Sequence, residues 1–386
     1  MSHPKLENVN IESVVLLATP REMKRAVPQT SASIATVTRG RETIERVLED
    51  EDHRLLAIVG PCSIHHLESA ETYARKLKQL SDEIADTICV VMRVYFEKPR
   101  SVLGWKGLIN DPYMNDTFHI EEGIRMARHF LMRVAEIGLP AATEVLDTLM
   151  PQYIGDLISY SVIGARTAEA QTHREIASGM STPVGFKNST DGSLVGAING
   201  IHAAMGYHHF LGVTEDGLPA VFSTTGNPYP HIVLRGGKRP NYDAASIAFC
   251  EAALRTARLP VQIIVDCSHG NSEKQPDRQG MVLRDLLTQI EQGNRSLRGF
   301  MLESQLEWGS QPMPKDPGQL NPGVSVTDAC IDWETTEVLL REARDRYKVV
   351  IEERYTSYAG HARTPPSFPV RRALRRFRLT NPPLFL

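Results

Sequence analysis

Lysine and arginine recur at the ends of apolar runs in this 386-residue chain. Arg93, Lys98, Arg100, Arg166, Lys187 and Arg235 each sit at or just past the C-terminal end of a stretch of β-forming residues. Any one of them alone would suit a surface or ion-paired position. Six at equivalent positions, where strand ends converge, would repel one another unless an anion neutralised them. The pattern predicts a ligand with more than one phosphate or carboxylate. A second set shares those ends. Cys62, His269 and Glu303 each finish an apolar run, and Asp328 follows Val324-Ser325-Val326-Thr327. A thiolate, an imidazole and two carboxylates mix soft and hard donors, a set that suits a divalent transition metal. A lone buried Cys is usually a small hydrophobe, and His269 between Ser268 and Gly270 equally suits a structural hydrogen bond. The residues alone leave metal binding open.

The elements that must position these groups alternate. Short apolar runs occur at Leu55 to Val59, Ile88 to Tyr95, Ala141 to Val145, Ser161 to Ala165, Val184 to Lys187, His209 to Val213, His231 to Arg235, Ile263 to Cys267 and Phe300 to Glu303. Amphipathic segments of helical length lie between several of them, among them Ser69 to Ile84, Glu121 to Ile137, Ala244 to Thr256 and Met281 to Gln292. Strands alternating with helices predict a parallel sheet with crossover helices. About eight such units fit a closed (β/α)8 TIM barrel, whose strand C-termini form the rim on which active sites are built. No G-x-G-x-x-G follows the first strand, which argues against a dinucleotide-binding sheet. Residues 1–50 read as an N-terminal arm for regulation or oligomerisation, 51–345 as the catalytic barrel, and 346–386 as a basic Pro- and Arg-rich tail. Asp216-Gly217 within residues 214–230 signals a β-hairpin inserted between barrel elements.

Composition sets outer bounds. The chain is 41% hydrophobic and 23% charged, and its formal net charge of -3 gives no electrostatic case for nucleic acid. From Tyr355 to Leu386 the chain carries six arginines, Arg363 to Arg378, and no acidic residue, which suits an anionic partner or simply a solvated end. The five cysteines form no C-x-x-C pair, as expected of free thiols in a reducing compartment with room for one metal ligand. Neither a secretory signal nor a membrane span is visible, so the expected location is cytoplasmic.

Several stretches then point to one family. Gly60-Pro61-Cys62-Ser63-Ile64-His65, Met92-Arg93-Val94-Tyr95-Phe96-Glu97-Lys98-Pro99-Arg100, Ile163-Gly164-Ala165-Arg166-Thr167, Pro183-Val184-Gly185-Phe186-Lys187-Asn188, Leu234-Arg235-Gly236-Gly237-Lys238, Asp266-Cys267-Ser268-His269-Gly270-Asn271 and Ser325-Val326-Thr327-Asp328-Ala329-Cys330 resemble the type I microbial 3-deoxy-D-arabino-heptulosonate 7-phosphate (DAHP) synthases. The resemblance extends from near the N-terminus to about residue 345. It implies condensation of phosphoenolpyruvate with erythrose 4-phosphate and water, giving DAHP and inorganic phosphate at the start of the shikimate pathway. Residue by residue, it implies that Cys62, His269, Glu303 and Asp328 bind one divalent ion (manganese, iron, cobalt or zinc). Arg93, Lys98, Arg166, Lys187 and Arg235 match the phosphoenolpyruvate-binding cations. Lys98-Pro99-Arg100-Ser101 matches the erythrose 4-phosphate motif, with Ser101 where the family usually has Thr. Lys98 is then the expected proton donor to the aldehyde oxygen and Glu144 the group that positions water, with Asp328 the third expected catalytic residue. The family also implies a homodimer or homotetramer and feedback by an aromatic amino acid. Leu6 to Ile11 resembles the arm through which the family responds to an aromatic amino acid, and Thr143-Glu144, Gly212 and Cys267 lean toward the tyrosine-sensitive branch.

The chain departs from the family at His66, at Tyr160-Ser161-Val162, at Ser304 to Gln311 and at Pro322-Gly323. None of these removes an expected ligand or cation. They leave room for a paralogue of a specialised pathway, a synthase for another aldose phosphate, or a catalytically silent homologue.

Overall fold

The computed structural model describes residues 6–100, 104–314 and 316–360. Two helices lead the chain, α1 (Pro20–Ala26) and α2 (Ser31–Leu48). The series continues with β1 (Leu55–Gly60), α3 (Leu67–Glu83), β2 (Ile88–Arg93), α4 (Ile120–Ile137), β3 (Ala141–Glu144), α5 (Met150–Ile154), β4 (Tyr160–Ile163), α6 (Gln171–Gly179), β5 (Val184–Lys187) and α7 (Val195–Met205). A hairpin of β6 (His209–Val213) and β7 (Pro219–Ser223) follows. The chain then completes the alternation with β8 (Pro230–Leu234), α8 (Ala244–Thr256), β9 (Ile263–Asp266), α9 (Gln279–Glu291), β10 (Leu297–Glu303) and α10 (Trp333–Gly360). Eight strands pair in parallel in the order β1-β10-β9-β8-β5-β4-β3-β2 and close on themselves. This is the expected (β/α)8 barrel.

Strand alternation sorts the core into two layers, because successive side chains point to opposite faces. Leu56, Ile58, Cys89, Val91, Ala142, Tyr160, Val162, Val233, Ile264 and Met301 fill the barrel interior. Ala57, Val59, Val90, Met92, Phe186 and Leu302 point outward into the helical layer. Being buried on both faces, the barrel strands read as continuous apolar runs. Register brings the strand ends level: Gly60 faces Glu303, Arg93 faces Ala142 and Lys187 faces Val233.

Two expectations need correction. The run from His209 to Val213 belongs to the hairpin and not to the barrel wall. It pairs antiparallel with β7, and its residues are at most half-buried, unlike those of the barrel strands. Apolar content alone does not tell an outlying strand from a wall strand. The hairpin therefore starts earlier than expected, although Asp216-Gly217 does make the turn, with Gly217 at φ 77°. The second correction concerns the second half of the arm, which lies within the barrel's own fold. Ile44, Val47 and Leu48 of α2 pack into the interior cluster. Arg41 donates to the carbonyls of Ile158 and Gly155, just before β4. The helix thus floors the barrel at its N-terminal end.

Helix α1 carries a Thr19/Glu22 capping box and holds the hairpin tip, with Arg21 on Asp216 and Lys24 on Glu215 at 2.5 Å each. His66, one of the departures from the family pattern, caps α3 by accepting from the Ser69 amide at 3.2 Å. Helix α10 runs through position 345, where the tail was expected to start. Residues 361–386, with the six arginines from Arg363 to Arg378, lie outside the described residues. Among the described residues no helix is long and apolar enough to cross a membrane.

Candidate active site

Every described candidate lies at the C-terminal end of the barrel. Arg93, Glu144, Lys187 and Glu303 are the last residues of β2, β3, β5 and β10. Arg235 follows β8 directly, and Cys62, Arg166 and His269 sit on the turns after β1, β4 and β9. Ser101 falls outside the described residues.

The ligand atoms of Cys62, Glu303 and Asp328 lie within 4.8 Å of one another. Cys62 Sγ is 3.8 Å from Asp328 Oδ2, and His269 Nε2 is 3.8 Å from Glu303 Oε1. His269 stands at the edge of this group because its other nitrogen is tethered. Nδ1 is 2.9 Å from Asp266 Oδ2 and 2.7 Å from Ser268 Oγ, and the residue holds a left-handed φ of 56°. Such a backbone persists where its surroundings fix it. One thiol, one imidazole and two carboxylates, with Cys62 and Glu303 buried and Asp328 exposed, fit a divalent transition ion.

The cations surround this group. Arg93 Nη2 donates to Glu303 Oε1 at 2.8 Å, and Lys187 Nζ donates to Asp266 Oδ2 at 2.7 Å, both pairs almost wholly buried. Burial works against charge on Lys187, but Asp266 and its neighbours raise its pKa above the ordinary value. Lys98 donates to the Cys62 carbonyl at 3.0 Å, with Sγ at the same distance. Burial opposes its charge too, yet Cys62, Glu303 and Asp328 hold its pKa up. The Cys62 thiol is pushed up to about 11 by burial and then by Glu303, with Lys98 pulling the other way. Burial and the like charge of Arg166 lower the Arg235 pKa, with Asp266 pulling the other way. Arg100 turns outward, its Nε donating to the Trp105 carbonyl at 2.8 Å. The Glu144 carboxylate lies over Gly164, where any Cβ would collide with its Oε1.

Local sequence explains how these groups are held. Lys98 N–H donates to the Lys106 carbonyl at 2.8 Å. The close return of the chain there needs Gly107 (φ 111°), since a Cβ would fall 1.9 Å from the Phe96 carbonyl oxygen. The segment from Ser304 to Gln311 departs from the family pattern but folds as part of the site. It pairs with 325–331 through bridges of Ser304 to Ile331 and Gly309 to Cys330, which carry Asp328 toward Glu303.

Sequence reasoning gave no role to several residues that fix the site. Asp266 binds both Lys187 and His269, and although burial opposes its charge, those two partners hold its pKa well below the usual carboxylate range. Gln279 makes paired bonds to the Glu303 backbone at 2.9 and 2.8 Å. Asn188, Asn241 and Asn271 tie the loops after β5, β8 and β9 together; Asn188 Oδ1 accepts from the Arg235 amide at 2.8 Å. Asp266, Asn188 and Asn271 stand inside recognised motifs, which was the available signal. Asn241 and Gln279 gave none.

Beside the rim lies a separate cavity of about 980 Å³. Thr143, Glu144 and Gly212 line it, together with Glu97, Phe210 and Phe222. Cys267 is fully buried behind β9 and does not.

A closed (β/α)8 barrel with an anion-binding rim around a mixed thiol, imidazole and carboxylate cluster defines an enzyme acting on phosphorylated or carboxylated small molecules. The sequence profile of the DAHP synthetase I family matches residues 29–341. The Tyr-sensitive phospho-2-dehydro-3-deoxyheptonate aldolase of Salmonella typhimurium is 50% identical over 342 residues, covering 89% of this chain and 96% of the relative. The Phe-sensitive form of Escherichia coli is 46% identical over 343 residues, covering 89% and 97%. The structure of the phospho-2-dehydro-3-deoxyheptonate aldolase of Francisella tularensis superposes with a TM-score of 0.86 at 41% identity, covering 88% of this chain and 99% of that one. The chain belongs to the DAHP synthetase I family. Its reaction is accordingly that of a DAHP synthase, at the first step of aromatic amino acid synthesis and under feedback by aromatic amino acids.

Proposed function

We propose that the rim site holds phosphoenolpyruvate and erythrose 4-phosphate over one divalent ion, bound by Cys62, His269, Glu303 and Asp328. The observation that carries this reading is the convergence of three of those ligand atoms within 4.8 Å, with Lys98 and Arg93 in direct contact with the group. When bound, the ion supplies Lewis acidity at the aldehyde oxygen. Arg93, Arg166, Lys187 and Arg235 hold the phosphate and carboxylate of phosphoenolpyruvate so that its carbon 3 faces the aldehyde. Lys98, kept charged by its acidic neighbours, delivers a proton to the aldehyde oxygen as the carbon–carbon bond forms. Glu144 orients the water that adds at carbon 2 before phosphate leaves. Arg100 and Ser101 take the phosphate of the aldose.

Tyrosine is the proposed effector, supported by the 50% identity to Tyr-sensitive relatives against 46% to a Phe-sensitive one. The cavity between Phe210, Phe222 and the β3–α5 turn has the volume and aromatic walls for such a ligand. A homodimer or homotetramer is supported by the arm before α1, where Leu6, Val9, Ile11, Val14, Val15 and Leu16 are all exposed.

The test is release of inorganic phosphate from phosphoenolpyruvate. Release only with erythrose 4-phosphate present, abolished by a chelator and restored by manganese, is expected. Release without the aldose, or undiminished after chelation, would overturn the reading.

A further inference from the structure

One buried polar group in the rim is left without a partner in a place crowded with charge. The strand hydrogen bonding of β2 continues past its last residue, since Val94 N–H donates to the Ala142 carbonyl at 2.7 Å and Ile64 N–H to the Tyr95 carbonyl at 2.9 Å. Arg93 and Tyr95 are therefore two residues apart on an extended chain and share the inward face. Val94 points the other way, into the helical layer. Tyr95 is 1% exposed, and its ring lies 4.1 Å from the Arg93 guanidinium carbon, with Lys98 Nζ at 6.0 Å. Its hydroxyl is close enough to Arg93, Lys187, Glu144 and Asp266 to feel each of them. Those four residues come from β2, β5, β3 and β9, which places the hydroxyl near the axis of the barrel mouth.

Among the described residues that hydroxyl has no hydrogen-bond partner, and Arg93 Nη1 beside it has none either. Buried hydroxyls and guanidinium nitrogens are nearly always paired, because an unpaired one forfeits its hydration. Two unpaired groups on stacked neighbouring side chains, with the Lys98 and Lys187 charges nearby, point to an anion that comes and goes as the missing partner. A phenol kept neutral by burial adds a donor without adding another charge to the repelling set. It is engaged by no acidic side chain among the described residues, so all of its hydrogen-bonding capacity is open to a ligand.

We infer that Tyr95 is a substrate-binding residue whose hydroxyl donates to an oxyanion of phosphoenolpyruvate alongside Arg93. The inference rests on the placement of phosphoenolpyruvate proposed above and adds to it a neutral, directional contact at the floor of the cage. It also explains why an aromatic ring stands there: the face supports the Arg93 guanidinium while the edge carries the donor.

The test is Tyr95→Phe, which keeps the ring and the cation–π contact and removes only the hydroxyl. In the manganese-loaded full chain, the thermal midpoint without substrate is expected to stay level or rise, because an unsatisfied group has been deleted. The affinity for phosphoenolpyruvate, read by calorimetry or by the ligand-induced rise in midpoint, is expected to fall about 10- to 100-fold, the worth of a hydrogen bond to a charged group. The KM for erythrose 4-phosphate is expected to stay within about 2-fold, as only the other substrate loses a contact. Running the same titration with inorganic phosphate locates the contact: a parallel loss places it at the phosphate end and an unchanged affinity at the carboxylate end. Unchanged phosphoenolpyruvate affinity in the variant, with a normal response in the parent, would overturn the role of Tyr95 alone. A parent that fails to respond to phosphoenolpyruvate would overturn the site reading itself. A lowered midpoint with unchanged affinity would show that the hydroxyl is structural.

Discussion

Lys98 and Asp266 make opposite demands on a substitution, and each yields a distinct expectation. Lys98 is a charged donor that touches the Cys62 sulfur at 3.0 Å. Lys98→Met should lower turnover by about 10²- to 10⁴-fold, the span general acid catalysis usually covers, while phosphoenolpyruvate still binds. Phosphate-release kinetics with calorimetry of phosphoenolpyruvate binding would check this, and unreduced turnover would remove Lys98 from the chemistry. Asp266 acts through Lys187 and His269. Asp266→Asn should weaken metal binding by about 10- to 100-fold through loss of His269 orientation, measured by competition with a metal indicator. Glu97 gives a pH signature. Burial, with Asp147 and Glu144 nearby, pushes its carboxyl up from 4.5 to about 8. The folded chain therefore binds this proton more tightly than the unfolded chain, so the stabilisation is complete below pH 4.5 and lost as pH rises through 8. Glu97→Gln should remove that decline, whose steepest slope is about 1.4 kcal/mol per pH unit. Denaturant midpoints at pH 5 and pH 8 that differ equally in parent and variant would refute it. At this scale the candidate ligands and cations that the structure gathers at the rim were legible because each ends an apolar run. Gln279 and Asn241 were not, because their roles arise from neighbours distant in sequence.

The barrel strands and their order of alternation with helices could be read from apolar runs, because two-sided burial writes itself as continuous Val, Ile and Leu. What could not be read was which runs pair with which. His209 to Val213 has strand composition, and only its antiparallel partner shows that it leaves the barrel. The amphipathic stripe of α2 likewise fits an arm on a neighbouring chain as well as a floor beneath its own barrel; the contacts of Ile44, Val47 and Leu48 decide. Its placement depends on Gly40, where a Cβ would meet Pro140 Cβ at 2.7 Å and Ser159 Oγ at 2.8 Å. Gly40→Ala is expected to cost about 1–3 kcal/mol, as overpacking does, despite the better helix propensity of alanine. Thermal and denaturant unfolding would check it, and a stabilised variant would show that the floor helix can shift without penalty.

For the molecule as a whole, the arm before α1 and the barrel are separable in expectation. Removal of residues 1–17 takes away the exposed apolar side chains while leaving the capping box at Thr19 and Glu22, the hairpin clasp and the α2 floor in place. The shortened chain is expected to unfold at a similar temperature but to sediment as a smaller species. Unchanged sedimentation would assign the arm no part in assembly. Closure of the barrel bears on how the chain is made. β1 finds one of its two partners in β2, but the other is β10, the last strand of the wall. On a ribosome delivering roughly 5–20 residues per second, the free edge of β1 waits for more than ten seconds until β10 has emerged. Throughout that time the floor helix has only part of its socket, since Val233, Ile264 and Met301 arrive late. The nascent chain thus carries an open seam for most of its synthesis, and a chaperone that shields strand edges has its longest opportunity there.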